Sequence, residues 1–264
     1  MFKETTFNVY QASQSIIHKL DPRVKILGAV GIILSNVLLP DGAWLAFGIS
    51  FIALVIMVLL AGIAVSFVLK RSLVALPFVL VAITILFTLP GEPLVSFNIF
   101  SWHLTITDAG LLRFTSILVR AWISVQAAII LTATTRFPDI GHGLRHLKIP
   151  LVLIAILSFM YRYLFVLSEE ATRLIQARAA RSASLPDSPK PPVRWQAKNA
   201  GNMVGQLFLR SYERSDRVYN AMVARGFQGQ FLTLTPHTMV SADWFGLAII
   251  LSMLSLIQII GHFF

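Results

Sequence analysis

Five stretches of this chain, residues 24–39, 43–69, 73–89, 109–134 and 242–260, are apolar over lengths that suit a lipid bilayer. A helix rises about 1.5 Å per residue, so about 20 apolar residues cross the hydrocarbon layer. The first stretch is short, and the second is long enough to tilt or to bend near Gly62. Over all 264 residues 56% are hydrophobic and only 13% are charged, about half the charged share of a soluble domain. That excludes an ordinary water-soluble enzyme and a disordered chain. A disulfide scaffold is excluded too, because there is no cysteine. The expected fold is all-α: a polytopic membrane helical bundle of about five transmembrane helices. No small-residue cleavage site follows the first apolar run, so a signal peptide is not expected.

The net charge of +10 could mean nucleic acid, but the placement of the bases decides otherwise. Lys3, Lys19, Arg23 and Lys25 precede or open the first span, and Lys70 and Arg71 separate the second from the third. Residues 40–42 and 90–108 contain no Lys or Arg. This alternation puts the N-terminus in the cytoplasm. Between Arg136 and Arg225 lie 14 of the 22 bases, and beyond Arg225 there are none. That region is expected to be cytoplasmic, with one last crossing after it. No nucleic-acid module is recognisable, and topology already accounts for the basic excess. The expected organisation is a four-helix transmembrane region over 1–135, a cytoplasmic region over 136–226 and a C-terminal transmembrane helix over 227–264. The hydropathy of residues 149–167 would allow a sixth span. Crossing there would carry Arg194, Lys198, Arg210, Arg214 and Arg217 outside, against the positive-inside bias. The favoured alternative is one long helix, 150–182, whose first half is buried or dips into the membrane.

Residues 149–182 and 195–226 read as two helices of about 32 residues, which would project roughly 45–50 Å. Pro186, Pro189, Pro191 and Pro192 between them stop any helix. The first carries an apolar stripe through Met160, Leu164, Leu167, Ala171, Leu174 and Ile175. The second carries Val204, Leu207, Phe208, Val218, Tyr219 and Met222, with Ser211 and Ser215 amid them. Their ends are alike. Aligned without gaps, Ala177 meets Ala221, Ala180 meets Ala224 and Arg181 meets Arg225. Each helix thus ends in a small residue, an arginine and a small residue: Ala180-Arg181-Ser182 and Ala224-Arg225-Gly226. An arginine so flanked can enter a groove and bind carboxylates or carbonyls with its planar fork. Ordinary helix chemistry also favours a cation in the last turn and Gly226 just past it. Two matching ends point to a repeated docking device, and two equivalent docks imply a partner with two equivalent halves.

Three stretches carry a family resemblance: Ile17-His18-Lys19-Leu20-Asp21-Pro22-Arg23-Val24-Lys25, Phe137-Pro138-Asp139-Ile140 through Leu144-Arg145, and Arg210-Ser211-Tyr212-Glu213-Arg214 through Ala224-Arg225-Gly226-Phe227. With the span pattern they resemble, over nearly the whole chain, the transmembrane T component of energy-coupling factor (ECF) transporters in its cobalt-type branch, CbiQ. Nickel versions are hard to separate from it. The resemblance implies a non-catalytic scaffold in the bacterial cytoplasmic (inner) membrane. It would join a membrane S component of the CbiM type to two cytoplasmic ATPases of the CbiO type, with a small accessory membrane protein of the CbiN type. It also implies that two Ala-Arg-Gly-like motifs insert into grooves on the ATPases. Carried over, these are Ala180-Arg181-Ser182, where Ser replaces Gly, and Ala224-Arg225-Gly226. Ala177-Arg178-Ala179 is a rival placement of the first; the gap-free match to Arg225 selects Arg181. No cofactor is expected on the chain itself. It has no Gly-rich phosphate-binding loop, so ATP would be bound by the partner subunits.

Other polar residues have plainer readings. Asp21-Pro22 is an N-cap with Pro at the first helical position. Arg113 and Arg120 share a face of the fourth span and are expected to snorkel or to pair within the bundle. Asp139, His142 and His146 form the one metal-like group. They lack a third strong ligand, which leaves a metal-dependent intramembrane enzyme as an alternative and a polar membrane-proximal helix as the expectation. Glu169–Arg173 and Glu213–Arg217 have the spacing of helix-surface ion pairs.

Overall fold

The computed structural model describes residues 10, 11, 13, 15–99, 102–147, 149–181, 192–228 and 239–263. Asp21 accepts the Arg23 backbone N–H and Pro22 takes the first helical position, where its missing N–H costs nothing, so α2 (Pro22–Leu38) starts as the dipeptide predicts. It follows a single turn, α1 (Ile16–Lys19), capped by Ser15. The second apolar stretch does not bend at Gly62; it breaks there. α3 (Trp44–Ala61) ends with Gly62 at φ 68°, the left-handed conformation that terminates a helix. The chain resumes as α4 (Val65–Ser72), passes through a 3₁₀ turn at Leu73–Ala75 and continues as α5 (Leu76–Thr88).

Next comes a short antiparallel hairpin, β1 (Pro93–Ile99) with β2 (Trp102–Thr107), in register from Val95 opposite Ile106 to Ile99 opposite Trp102. Thr107 ends it and caps α6 (Asp108–Thr134) by accepting the Gly110 N–H. α7 (Phe137–His146) is a short amphipathic helix. α8 (Leu151–Arg181) and α9 (Val193–Ala224) are the two long helices, and α10 (Ser241–Phe263) closes the chain. Helices dominate, as expected. The hairpin occupies the base-free connection 90–108, for which the hydropathy pattern gives no element.

Two compact units result, one of Val9–His146 with Pro236–Phe264 and one containing Leu147–Thr235. In the first, α6 is central: α2, α3, α4 and α5 all pack on it, while α10 lies against α2 and α3 and α7 against α2. Its core is aliphatic, with Ile32, Leu54, Ile123 and Ile257 fully buried. Several polar side chains bury in it with partners on the backbone or on another side chain. Asn36 and Ser50 donate to carbonyls one turn back, and the Trp122 indole N–H donates to Ser72 Oγ at 3.0 Å. The exterior is as apolar as the core: Leu34, Val37, Ile52, Ile56, Leu59, Trp244, Phe245, Ile249 and Ile259 are all at least half exposed. A surface of that kind is stable in lipid rather than water.

α3, α6, α8 and α10 are long and apolar enough to cross a membrane. α2, at 17 residues, reaches about 26 Å, and α5, at 13, about 20 Å. The third apolar stretch therefore yields a helix shorter than the hydrocarbon layer is thick.

Candidate functional site

Antiparallel pairing of α8 and α9 follows from their cross-contacts. Near the end of α8 the Arg178 guanidinium stacks over Trp195, at the start of α9, 5.5 Å from the ring centre. Midway along both helices Arg210 Nη1 donates to Glu170 Oε1 at 2.6 Å. Nearer the start of α8, Met160 and Tyr163 line a cleft with Tyr219 and Met222, near the end of α9. Two clefts flank the central ion pair. One, of about 370 Å³, is apolar and includes Leu167, Ser211, Ser215 and Val218. The other, of about 710 Å³, is polar and lined by Arg173, Arg178, Arg181, Asn199, Asn202 and Gln206, among others.

The two arginine ends are therefore apart. Arg181 is the last residue of α8, exposed; Ala180 is exposed beside it, and Ser182 lies outside the described residues. At the other extreme of the pair, Arg225 is the C-cap of α9. The Gly226 N–H donates to the Val223 carbonyl at 2.9 Å and the Phe227 N–H to the Met222 carbonyl at 3.0 Å. Gly226 has φ 79°, so this is a Schellman motif. A Cβ on Gly226 would meet no atom within 4 Å, so backbone conformation, not crowding, calls for glycine here. Ala224 and Arg225 stand exposed on this rigid turn. Arg178, the rival placement, is half-buried against Trp195.

The two helix-surface ion pairs form, Glu169–Arg173 at 3.4 Å and Glu213–Arg217 at 3.9 Å. The cross-helix partner of Glu170 was not legible in the sequence; the signal was present only as an acidic doublet with one member to spare. Arg210 also holds the Glu170 carboxyl below the usual carboxylate range, chiefly through their hydrogen bond. The apolar stripes cover each other only in part: Met160, Leu167, Val218 and Met222 border one cleft, yet Met160, Ile175, Val204 and Phe208 remain exposed.

In the other unit, Arg113 and Arg120 do pair within the bundle, both with Asp41 in the α2–α3 turn, at 3.8 and 2.8 Å. Arg120 also donates to the Leu39 carbonyl at 2.6 Å. At the opposite end of α2, Asp21 and Asp243 are both buried. The Asp243 carboxylate accepts the backbone N–H of Asp21 at 2.8 Å through one oxygen and that of Val240 at 2.9 Å through the other. Lys25 donates to the His18 and Thr134 carbonyls at 3.0 and 3.3 Å. His18 Nε2 donates to the Gln11 carbonyl at 2.9 Å, which leaves Nδ1 to accept the Ser15 hydroxyl at 2.7 Å. Burial pushes the His18 imidazole below its ordinary value, with the nearby Lys25 adding to the effect. On α7 the His142 and His146 rings lie 4.9 Å apart. Among the described residues no group of three or more His, Cys, Asp or Glu side chains is placed to hold a metal ion.

These features define a multi-pass α-helical membrane protein that also contains a pair of long antiparallel helices with an arginine at each extreme of the pair. The family model described as cobalt transport protein, CbiQ, matches residues 13–237, and the chain belongs to that family. A Methanocaldococcus jannaschii protein, MJ1571, described as uncharacterized, is 28% identical over 229 residues, covering 85% of this chain and 75% of that one. The energy-coupling factor transporter transmembrane protein EcfT of Lacticaseibacillus paracasei is 28% identical over 237 residues, covering 83% of this chain and 84% of its own length. EcfT of Lactococcus lactis subsp. cremoris is 27% identical over 230 residues, covering 83% of each.

Proposed function

We propose that this chain is the T component of an energy-coupling factor cobalt importer, through which two cytoplasmic ATPases act on a substrate-binding S component in the membrane. The family and the names of its relatives support the transporter class, and cobalt is drawn from the family description. The observation that carries the ATPase coupling is the placement of Arg181 and Arg225 at opposite ends of one antiparallel pair. The 30 or so residues from Trp195 to Arg225 amount to about 45 Å of helix. Two like cations that far apart suit two like subunits rather than two points on one subunit.

The mechanism is then mechanical. ATP binding closes the two ATPases and hydrolysis reopens them. Arg181 and Arg225 hold the two extremes of the arm to the moving halves, so the arm converts a change in ATPase separation into a change in its own geometry. That change biases the S component between outward and inward states, and the ion is released inward. The chain supplies no catalytic group. The basic arm lies on the cytoplasmic side, as the positive-inside bias requires. The partners are ATPases of the CbiO type, an S component of the CbiM type and a small CbiN-type protein, assembled in a bacterial cytoplasmic membrane.

Coexpression with those partners and affinity purification test the reading. Two ATPase copies per tagged chain are expected, with ATP-dependent uptake of cobalt into proteoliposomes, measured beside nickel. The Arg181→Ala/Arg225→Ala double variant is expected to fold but to lose most ATPase capture and uptake. Wild-type uptake in that variant would refute the docking assignment.

A further inference from the structure

We propose that Glu170 and Arg210 form the positioning pivot of the two-helix arm, fixing where the helices cross so that motion at one extreme reaches the other. This rests on the transporter reading and adds to it a pair of residues that touch neither ATP nor ion. The bond between them is a charge-assisted hydrogen bond of 2.6 Å from one helix to the other. It sits close to the middle of both helices, with an apolar cleft on one side and a polar cleft on the other. The neighbouring acid, Glu169, is exposed and bonds Arg173 on its own helix, whereas the Glu170 side chain is only 16% exposed. Of the two acids in the doublet, the covered one is the one that crosses between helices.

Lever lengths follow from the sequence. Arg181 lies 11 residues beyond Glu170, roughly 16 Å of helix, and Arg225 lies 15 residues beyond Arg210, roughly 22 Å. A rotation of about 10° at the crossing displaces these extremes by roughly 3–4 Å, which is a useful stroke only if the crossing point does not slide. The apolar contacts beside it do not prevent sliding. Met160, Tyr163, Leu167, Val218 and Met222 border an open cleft, and the serines at 211 and 215 add no bulk. A directional bond between opposite charges does fix register, as a single polar residue does in helical coiled coils. Glu170 is covered but Arg210 remains 56% exposed, and a pair open to solvent at one end adds little to stability, so it acts on register rather than on folding.

The test uses the complete transporter reconstituted in liposomes, with uptake per ATP hydrolysed as the readout. Glu170→Arg and Arg210→Glu should each lower that ratio about tenfold or more while ATPase copurification persists. The double exchange, E170R/R210E, restores the pair and should bring the ratio back to within about twofold. Glu170→Gln keeps shape without charge and should fall between. A normal ratio in both single reversals, or a double exchange that assembles yet stays uncoupled, overturns the pivot. If the unaltered chain captures no ATPase, the transporter reading itself fails, which separates the two outcomes.

Discussion

Asp243 Oδ1 accepts the backbone N–H of Asp21 at 2.8 Å across 222 residues of chain, so one buried carboxylate ties the start of the last helix to the start of α2. Its second oxygen accepts Val240 N–H at the entrance to α10. Asp243→Ala leaves two amide hydrogens without their acceptor and is expected to cost about 2–4 kcal/mol. Asp243→Asn keeps one acceptor and should cost about half as much. Thermal unfolding in detergent would measure both; equal stability of the alanine variant and the parent would contradict the clasp.

Gly226 closes α9 at φ 79° in open space. Alanine there meets no neighbour but must adopt a left-handed conformation, at about 1–2 kcal/mol. The expected result is faster amide exchange at residues 225–227, a loss of ATPase capture smaller than in Arg225→Ala, and a milder effect for Gly226→Asn. Unchanged exchange in the alanine variant would count against the Schellman closure as the element that holds Arg225.

Arg178 and Arg181 differ in what they already hold. Arg178 stacks on Trp195, whereas Arg181 is exposed at the tip. Arg181→Ala should reduce ATPase capture several-fold, and Arg178→Lys, which keeps charge but loses the planar fork, should leave it within about twofold. The reverse ranking would move the first docking arginine to 178.

His18 is held below the ordinary imidazole value of 6.5, mainly by burial. The folded state then binds fewer protons than the unfolded one below that value. Its contribution to stability is complete above pH 6.5 and is lost as pH falls through the lowered folded value. The unfolding temperature should drop as pH is taken from 7.5 to below 6, and His18→Gln, which keeps an amide donor, should flatten that slope. His146 on α7, also lowered by burial, will leave a residual slope. An identical pH profile in the variant would remove His18 from the account.

Because the chain has no cysteine, single cysteines report sidedness cleanly. A cysteine at Arg194 should react with membrane-impermeant maleimide only in inside-out vesicles. Labelling from the outer face would place the arm outside, make residues 149–167 a true crossing and end the ATPase-docking account.

The apolar stretches, the Asp21-Pro22 start and the glycine stop at 226 were legible because each depends on chemistry local in sequence: helical periodicity, a fixed proline φ and the absence of a Cβ; the proline connector up to Pro191 lies outside the described residues. The like endings of α8 and α9 were legible for the same reason. What sequence could not supply was direction and partnership. Similar C-termini show two like prongs but not how far apart they sit; the antiparallel pairing, seen in Arg178 over Trp195 and Arg210 on Glu170, sends them to opposite extremes of the pair. The helix break at Gly62 and the shortness of α5 also needed tertiary structure, since hydropathy measures how apolar a stretch is, not whether its backbone stays helical. So did the partners of Arg120 and Asp243, which lie 79 and 222 residues away at Asp41 and Asp21. An ion pair or a shared carboxylate is decided by which backbone segments pack together, and no local pattern records that.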